Sequence, residues 1–308
     1  MDAIRTESLT KIYRSNIARR AVPSLDSLTL AIEENEVFGF LGRNGAGKTT
    51  TIKILCSLLR PTSGEAFLRG EPARSRAARR HIGYLPENPY FYEYLNPRET
   101  LDFYGKLHGL SPRQRAGEWT KLAELLNLGD IATQRVRGFS KGMRQRLGFA
   151  VAMVGDPDIL ILDEPMSGLD PLGRRHIREL ILRLRDQNKT LFFSSHVLGD
   201  VEQICDRVGI VVQGKLRAKG PISELLTGHV RRVEILAAGL DGAAAAKLAP
   251  MAASVRESAE GRHFAVDDLD RANALAEAVL AHKGTLLEFT PIKDSLEDYF
   301  MRQQEVEA

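Results

Sequence analysis

The feature that most constrains this chain is the glycine-rich segment Gly42–Thr49, which reads Gly-Arg-Asn-Gly-Ala-Gly-Lys-Thr. The apolar run Val37–Leu41 precedes it and predicts a buried strand, and a helical pattern follows it. Glycines let successive backbone N–H groups point at phosphate oxygens, and the helix N-terminus adds its positive end. Lys48 can reach the β- and γ-phosphates, and the Thr49 hydroxyl can bind Mg²⁺. The segment predicts a phosphate-binding loop between a strand and a helix.

Two carboxylates end a second apolar run. Ile159–Leu162 predicts a buried strand, and Asp163 and Glu164 follow it directly. Beside a phosphate loop, Asp163 is placed to hold Mg²⁺ directly or through water. Glu164, one residue further on, is placed to polarise the attacking water.

The third segment of interest is Phe139–Arg146, which contains a serine, Ser140, and a glycine, Gly142, near its start. Ser140 is typical of a helix N-cap, and Gly142 leaves the first turn of the helix open. A helix N-terminus of this kind favours anions, so the chain carries two such ends. This arrangement suits two chains placed head to tail. ATP would then lie between the phosphate loop of one copy and the serine-glycine helix end of the other.

Together these segments resemble an ATP-binding-cassette (ABC) ATPase, over roughly Ile4 to Pro221. In that family an aromatic residue matching Tyr13 stacks on adenine; the alternative is a core tyrosine at the end of a strand. Ser167–Asp170 resembles the loop that crosses the dimer interface. His196 resembles the switch histidine that contacts the γ-phosphate.

The resemblance implies a set of site residues, with ATP and Mg²⁺ as the cofactors. The implied residues are Glu164, His196 and Lys48 for catalysis; Tyr13, Gly42, Asn44, Gly45, Ala46, Gly47, Lys48, Thr49, Thr50, Ser140 and Gly142 for ATP; and Thr49, Asp163 and Glu87 for the metal. Ser140 and Gly142 would come from the second copy of a head-to-tail homodimer.

Two segments depart from the commonest pattern of the family. Phe139–Met143 replaces leucine-serine-glycine-glycine-glutamine but keeps the serine and the second glycine, and Glu87 stands where glutamine is usual. Both departures resemble single-cassette exporter ATPases, whose membrane-spanning permease is a separate chain. Ser295–Phe300 also resembles the C-terminal pattern of that branch; an amphipathic helix with Leu296, Tyr299 and Phe300 inward is the alternative.

The resemblance implies an α/β fold with a P-loop NTPase (ABC ATPase) core, antiparallel β and helical subdomains, and a small C-terminal α+β domain. We expect the cassette over residues 1–221, with its helical subdomain at about 88–155, and the accessory domain over residues 222–308. Periodicity predicts the following elements. The strands are Leu28–Ile32, Val37–Leu41, Ile82–Leu85, Ile159–Leu162, Leu191–Ser194, Gly209–Val212 and Lys215–Ala218, and the helices of the insert are Arg98–His108, Arg113–Leu126 and Gly142–Val154.

Short continuous apolar runs suggest that the first six strands form a parallel sheet. Ile52, Leu55, Leu58 and Leu59 predict the inner face of the helix after the phosphate loop. The tail predicts the order β-α-β-β-α-β of a ferredoxin-like domain, with a hairpin turn at Glu260-Gly261. The tail would hold two cassettes together or regulate them.

Composition limits the partners and the location. The net charge of +3 predicts no general attraction to nucleic acid. No apolar run approaches the roughly 18 residues of a membrane span, and the N-terminus lacks the pattern of a signal peptide. We expect a cytoplasmic protein, peripheral on the cytoplasmic face of the cell membrane. The arginine-rich stretch Arg69–His81 is either a solvated surface or a contact for anionic lipid.

Two other classes of nucleotide-binding protein share part of this pattern. A soluble ABC ATPase that acts on ribosomes or DNA usually has a second cassette or a long coiled coil, and neither pattern occurs here. A guanine-nucleotide switch would need a base-reading motif, and Asn188–Leu191 has no aspartate at its end.

Overall fold

The computed structural model describes residues 1–13, 23–226, 230–293 and 296–305 of this 308-residue chain. The chain divides into two compact units, Met1–Ile222 and Ser223–Ala308. The division falls one residue after the boundary expected at Pro221.

The first unit is built from two sheets and the helices that connect their strands. Its described strands are β1 (Asp2–Ile12), β2 (Pro23–Glu33), β3 (Val37–Leu41), β4 (Ser63–Leu68), β5 (Glu71–Pro72), β6 (Ile82–Leu85), β7 (Ile159–Asp163), β8 (Thr190–Ser195), β9 (Arg207–Val212) and β10 (Lys215–Pro221). Its described helices are α1 (Lys48–Leu55), α2 (Arg76–Arg79), α3 (Pro97–Leu107), α4 (Pro112–Leu125), α5 (Lys141–Met153), α6 (Pro171–Asp186) and α7 (Leu198–Ile204).

The first sheet is antiparallel, with the strand order β2-β1-β4-β5. The expectation that Leu28–Ile32 belongs to the parallel sheet is wrong, because these residues lie in β2 of this antiparallel sheet. Leu28, Leu30 and Ile32 are buried whereas Thr29 is exposed, which is the alternation of a strand with one solvated face. Strands β1 and β4 were not predicted, because charged and polar residues interrupt their apolar positions.

The second sheet has the order β10-β9-β3-β8-β7-β6. Its strands from β9 to β6 are parallel, and β10 pairs antiparallel with β9 across the predicted turn Gln213-Gly214. All residues of β3, β7 and β8 are buried, as predicted for strands covered on both faces. Phe192 lies near the middle of this core, where its ring centroid is 6.1 Å from Phe38 and 5.3 Å from Phe40.

The predicted helical insert is confirmed by α3, α4 and α5, whose bounds agree with the prediction within one residue. Asn96 and Ser111 each form a capping box at the start of α3 and α4. Ser140 caps α5 through its hydroxyl, as the sequence predicted.

The inner face predicted for α1 is wrong at Leu58, which is 64% exposed. The helix ends at Leu55, and Ser57 has a positive φ of 59°. Because the chain leaves the helix there, the helical spacing no longer places Leu58 over the core. Ile52 and Leu55 are fully buried, as predicted.

The second unit has a four-stranded sheet and its own core. After α8 (Ile222–Leu225), its described elements are β11 (Val230–Ala238), α9 (Gly242–Leu248), β12 (Ser254–Ser258), β13 (Gly261–Val266), α10 (Leu269–Ala281), β14 (Thr285–Lys293) and α11 (Leu296–Glu305). The sheet is antiparallel with the order β12-β13-β11-β14. The predicted β-α-β-β-α-β order is confirmed, and it is that of a ferredoxin-like domain.

Two details of the second unit differ from what the sequence predicts. The hairpin turn is at Ala259-Glu260, since Ser258 pairs with Gly261, so Gly261 is already the first residue of β13. In the C-terminal pattern, Ser295 lies outside the described residues, while Leu296 is fully buried and Phe300 is 9% exposed. None of the described helices has the length and apolar character needed to cross a membrane.

Candidate nucleotide-binding site

The predicted phosphate loop follows β3 and runs directly into α1. Gly47 is the last residue before the helix and has a φ of 108°, which disfavours other residues. A Cβ atom at Gly47 would lie 2.5 Å from the Ser24 carbonyl oxygen, and one at Gly42 would lie 2.7 Å from the Val211 carbonyl oxygen. Only glycine fits at these two positions, because the loop lies directly against neighbouring backbone.

Lys48, the first residue of α1, is buried beneath the loop with 6% of its surface exposed. Its Nζ donates a hydrogen bond to the Gly42 carbonyl oxygen at 2.5 Å and lies 3.2 Å from Glu164 Oε1. An isolated buried charge is very costly, so the Glu164 carboxylate balances the ammonium. The loop lysine and the second carboxylate after β7 are therefore direct partners.

Asp163 ends β7 and is 2% exposed. Its Oδ1 accepts hydrogen bonds from the Ser194 hydroxyl at 2.7 Å and from the Thr49 hydroxyl at 3.4 Å. Burial raises the pKa of the Asp163 carboxyl above its ordinary value, and these two hydrogen bonds oppose the rise. The sequence predicts no role for Ser194; the two serines that end the apolar run of β8, Ser194 and Ser195, are the signal that could have indicated one.

Glu164 adopts a strained backbone conformation, with a φ of 50°, and is 8% exposed. Its backbone N–H donates to the Ser194 hydroxyl at 2.9 Å, and its Oε2 lies 2.8 Å from His196 Nδ1. Its Oε1 lies at ion-pair distance from the Lys48 ammonium and accepts no hydrogen bond from the described residues. Lys48, Glu164 and His196 thus form a continuous chain of charged or ionisable contacts.

These side chains border a cavity of about 520 Å³. The residues that line it are Ser24, Arg43, Asn44, Gly45, Gly47, Lys48, Thr49, Thr50, Glu87, Glu164, Ser167 and His196. The structure thus brings together nine of the predicted site residues. Arg43, which belongs to the predicted phosphate loop, also lines the cavity, as do Ser24 and Ser167, which the sequence did not place at the nucleotide. The Ser24 and Thr50 hydroxyls are hydrogen-bonded to each other at 2.9 Å. This contact joins β2 to the phosphate loop.

Six predicted site residues do not line this cavity. Of these, Gly42 and Ala46 belong to the phosphate loop, and Asp163 is the last residue of β7. Tyr13 is 48% exposed at the end of β1, with its ring centroid 5.5 Å from Lys11 Nζ. The alternative that Tyr13 is a core residue is therefore wrong. Its contact with adenine stays a prediction.

Ser140 and Gly142 also lie outside the cavity. The Ser140 hydroxyl accepts a hydrogen bond from the Met143 N–H at 3.3 Å, and this bond is the N-cap of α5. The helix that it begins is tied to the carboxylate segment, because Gln145 Nε2 donates to the Pro165 carbonyl oxygen at 2.8 Å. Gln145 is 2% exposed, so this contact is a buried one.

Comparison with known proteins agrees with this geometry. The sequence model of the ABC transporter family matches residues 25–167. An uncharacterised ABC transporter ATP-binding protein of Synechocystis is 40% identical over 98% of this chain and 84% of its own length. The bacitracin transport ATP-binding protein BcrA of Bacillus licheniformis is 36% identical over 97% of this chain and 96% of its own.

A solved ATP-binding cassette, described as a dimer in a post-hydrolysis state with ADP and phosphate, shares the fold of this chain. Its TM-score is 0.65 at 21% identity, over 71% of this chain and 98% of that one. The chain belongs to the ABC transporter ATP-binding proteins, and its first unit is an ABC ATPase cassette with the P-loop NTPase fold. It binds and hydrolyses ATP as the energy-converting subunit of a transporter.

Glu87 gives a direct test of the cavity, because its carboxylate lies among the phosphate-loop residues. An ionised carboxylate repels a nucleotide's phosphates unless a cation lies between them, whereas a glutamine amide can also donate. We expect Glu87→Gln to bind ATP more tightly than the parent without Mg²⁺, and to hydrolyse ATP within about tenfold of the parent with Mg²⁺.

The measurement is an ATP titration of both proteins with and without Mg²⁺. Glu93→Gln, an exposed change outside the cavity, is the matched control and should behave like the parent. An equal dependence on Mg²⁺ in Glu87→Gln and the parent would mean that Glu87 does not sense the nucleotide.

Proposed function

We propose that the chain hydrolyses ATP in sites shared by two copies of itself, and that this cycle drives export through a separate membrane-spanning permease. The observation that carries the proposal is the buried contact between Lys48 and Glu164, continued by His196. A γ-phosphate that binds Lys48 competes with Glu164 for the same ammonium. Binding of ATP would therefore release the Glu164 carboxylate for its role as a base.

The released carboxylate can then act on water. The water oxygen forms a bond to the γ-phosphorus while the bond from that phosphorus to the β,γ-bridging oxygen breaks. The water proton passes to Glu164, and ADP and phosphate leave as products. His196, 46% exposed at the cavity edge, is placed to contact both the γ-phosphate and Glu164.

The site suits a magnesium ion as well as the nucleotide. Within the described ranges, no group of three His, Cys, Asp or Glu residues could hold a metal alone. Mg²⁺ typically uses one or two carboxylates, water and substrate phosphates, which fits the buried Asp163 beside the Thr49 hydroxyl, with Glu87 in the same cavity. These three residues would hold the ion, whose chemistry is to neutralise charge on the phosphates.

The remaining nucleotide contacts follow the chain. The N–H groups of Gly42–Thr50 surround the phosphates, and the exposed Tyr13 ring stacks on adenine. Ser140 and Gly142 complete the site from a second copy, placed head to tail. The exposed serine-capped start of α5 supports this assignment, since it lies outside the cavity of its own chain. The similar cassette that was solved as a dimer has the same fold.

The permease contact is proposed for three exposed aromatic residues after Glu87, which we call the tyrosine surface: Tyr90, Tyr92 and Tyr94. They are 82%, 46% and 66% exposed, and the Tyr92 and Tyr94 ring centroids are 5.7 Å apart. Clustered exposed aromatic residues are typical of protein interfaces. Because Glu87 lies in the nucleotide cavity and Tyr90 is only three residues away, movement at the cavity would reach the permease directly.

The chain would work as a peripheral subunit on the cytoplasmic face of the cell membrane, without nucleic acid as a partner. The arginine-rich stretch supports this location. Arg69 is engaged by Asp158 and Glu34, but Arg76, Arg79 and Arg80 are exposed and have no carboxylate at ion-pair distance in the described part of the chain. Unpaired cations of this kind attract anionic lipid surfaces.

The shared site predicts that ATP joins two chains when hydrolysis is blocked. Glu164→Gln should bind ATP without turning it over, and sedimentation velocity should then show a dimer with ATP and a monomer without it. Adding Ser140→Ala to this variant should weaken the dimer.

Ser111→Ala in the Glu164→Gln background is the matched control, because Ser111 caps α4 in the way that Ser140 caps α5. Each change removes a cap of about 1 kcal/mol, but only Ser140 is proposed to reach a nucleotide. A monomer in all conditions, or equal weakening by the two serine changes, would contradict the shared site.

The tyrosine surface predicts a separable loss of coupling. Tyr90→Ser combined with Tyr94→Ser should abolish co-purification with the multi-span membrane protein encoded beside this chain, and leave ATP hydrolysis by the isolated chain within about twofold. Leu107→Ser, at a 67% exposed apolar position on α3, is the control and should retain the partner. Full retention of the partner by the double variant would refute this surface.

A further inference from the structure

A buried carboxylate joins two helices that each follow a segment of the nucleotide site. Asp200 lies in α7, just after His196, and its side chain is 6% exposed. Arg178 Nη1 donates to Asp200 Oδ1 at 2.8 Å, and Arg174 Nη1 lies 3.7 Å from Oδ2. Both arginines belong to α6, which follows the Ser167–Asp170 segment.

The two arginines are not equivalent. Arg174 Nε also donates to the Leu169 carbonyl oxygen at 3.3 Å, so its guanidinium lies between that carbonyl and Asp200. Among the contacts of the described residues, Arg178 has no corresponding bond to the segment. The shorter ion pair, from Arg178 to Asp200, therefore connects only α6 and α7. The arginine of the longer ion pair, Arg174, also contacts the backbone of the Ser167–Asp170 segment.

That segment is part of the nucleotide cavity. Ser167 lines the cavity, and its N–H donates to the Glu164 carbonyl oxygen at 3.0 Å. On the other side, His196 contacts Glu164 Oε2 and is followed within two residues by α7. These contacts form a closed ring. From Glu164 it runs through Ser167 and Leu169 to Arg174, and then to Asp200. From Asp200 it returns along α7 to His196, which contacts Glu164.

One feature of Asp200 suggests more than helix packing. Its Oδ2 is buried and has no hydrogen-bond partner in the described part of the chain, although Arg174 is close. A buried acceptor left without a hydrogen bond is costly, and a buried ion pair is weak evidence for a stabilising role. Oδ2 is the oxygen that lies 3.7 Å from Arg174 Nη1, and Arg174 is the arginine that also contacts the Ser167–Asp170 segment.

We propose that Arg174 and Asp200 are positioning residues for ATP hydrolysis, which set the Ser167–Asp170 segment according to the position of His196. They touch neither nucleotide nor water; they act through the Leu169 carbonyl and through α7. Because every contact in this ring lies within one chain, the proposal does not depend on the shared site or on the permease.

The test compares two arginine variants of the full chain. Arg174→Gln should lower kcat for ATP hydrolysis about tenfold with KM for ATP and nucleotide affinity unchanged, because the lost contact matters after binding. Arg178→Gln removes the closer cation from the same carboxylate, so it is the matched control. It should lower the thermal unfolding midpoint but keep kcat within about twofold.

A purely structural ion pair gives the opposite ranking, since the 2.8 Å contact would then matter at least as much as the 3.7 Å one. Asp200→Asn provides a second measurement. Its loss in kcat should not add to that of Arg174→Gln in the double variant, because both changes break one ring. Equal kcat losses for Arg174→Gln and Arg178→Gln, an unchanged kcat for Arg174→Gln, or additive losses in the double variant would overturn the proposal.

Discussion

The parallel register of four neighbouring strands is the constraint on which the site depends. Strands β3, β8, β7 and β6 are adjacent and parallel, so their carboxyl ends meet at one edge of the sheet. Those ends carry, in turn, the phosphate loop, His196, the Asp163-Glu164 pair and the segment with Glu87. Ligand sites of open α/β sheets form at this edge for the same reason. Groups far apart in sequence meet because the sheet aligns them.

Charge pairing within that edge explains the conformations of the site residues. Lys48 and Glu164 are both buried, and burying either one alone would be strongly unfavourable. A buried ion pair of this kind contributes little to stability compared with apolar packing. Its value lies in chemistry, since an incoming phosphate can exchange with Glu164 at the ammonium. The positive φ of Glu164 fits this view, because strained backbone is concentrated at functional sites.

The sequence predicted the parts of the site that are local in the chain. Strand β3, the loop and Lys48 form one continuous pattern, and Asp163 and Glu164 directly follow an apolar run, so spacing alone placed them at strand ends. The residues it missed need tertiary information. Ser24 comes from β2 of the other sheet, and Ser194 reaches Asp163 only because β7 and β8 pair in register.

The errors in the fold have similar causes. Leu58 fits the helical period of α1, but the helix ends three residues earlier, and periodicity does not show where a helix stops. Strand β1 carries charged residues on its solvated side and was overlooked for that reason. The ferredoxin-like order of the second unit was predictable because short apolar runs mark its strands, as at Val233 and Ile235–Ala237, and a turn next to Gly261 separates β12 from β13.

The central claim is that each hydrolytic site needs groups from two chains, and mixing two inactive variants tests it most directly. The Lys48→Ala variant has a defective phosphate loop but keeps Ser140. The Ser140→Arg variant keeps its phosphate loop, but the arginine at the start of α5 prevents that helix end from completing the site of the other copy. Each should be nearly inactive alone. In an equal mixture, half of the dimers would have one intact site, so ATP hydrolysis should recover to about a quarter of the parent rate. A mixture no more active than the sum of its separate components would contradict the shared site.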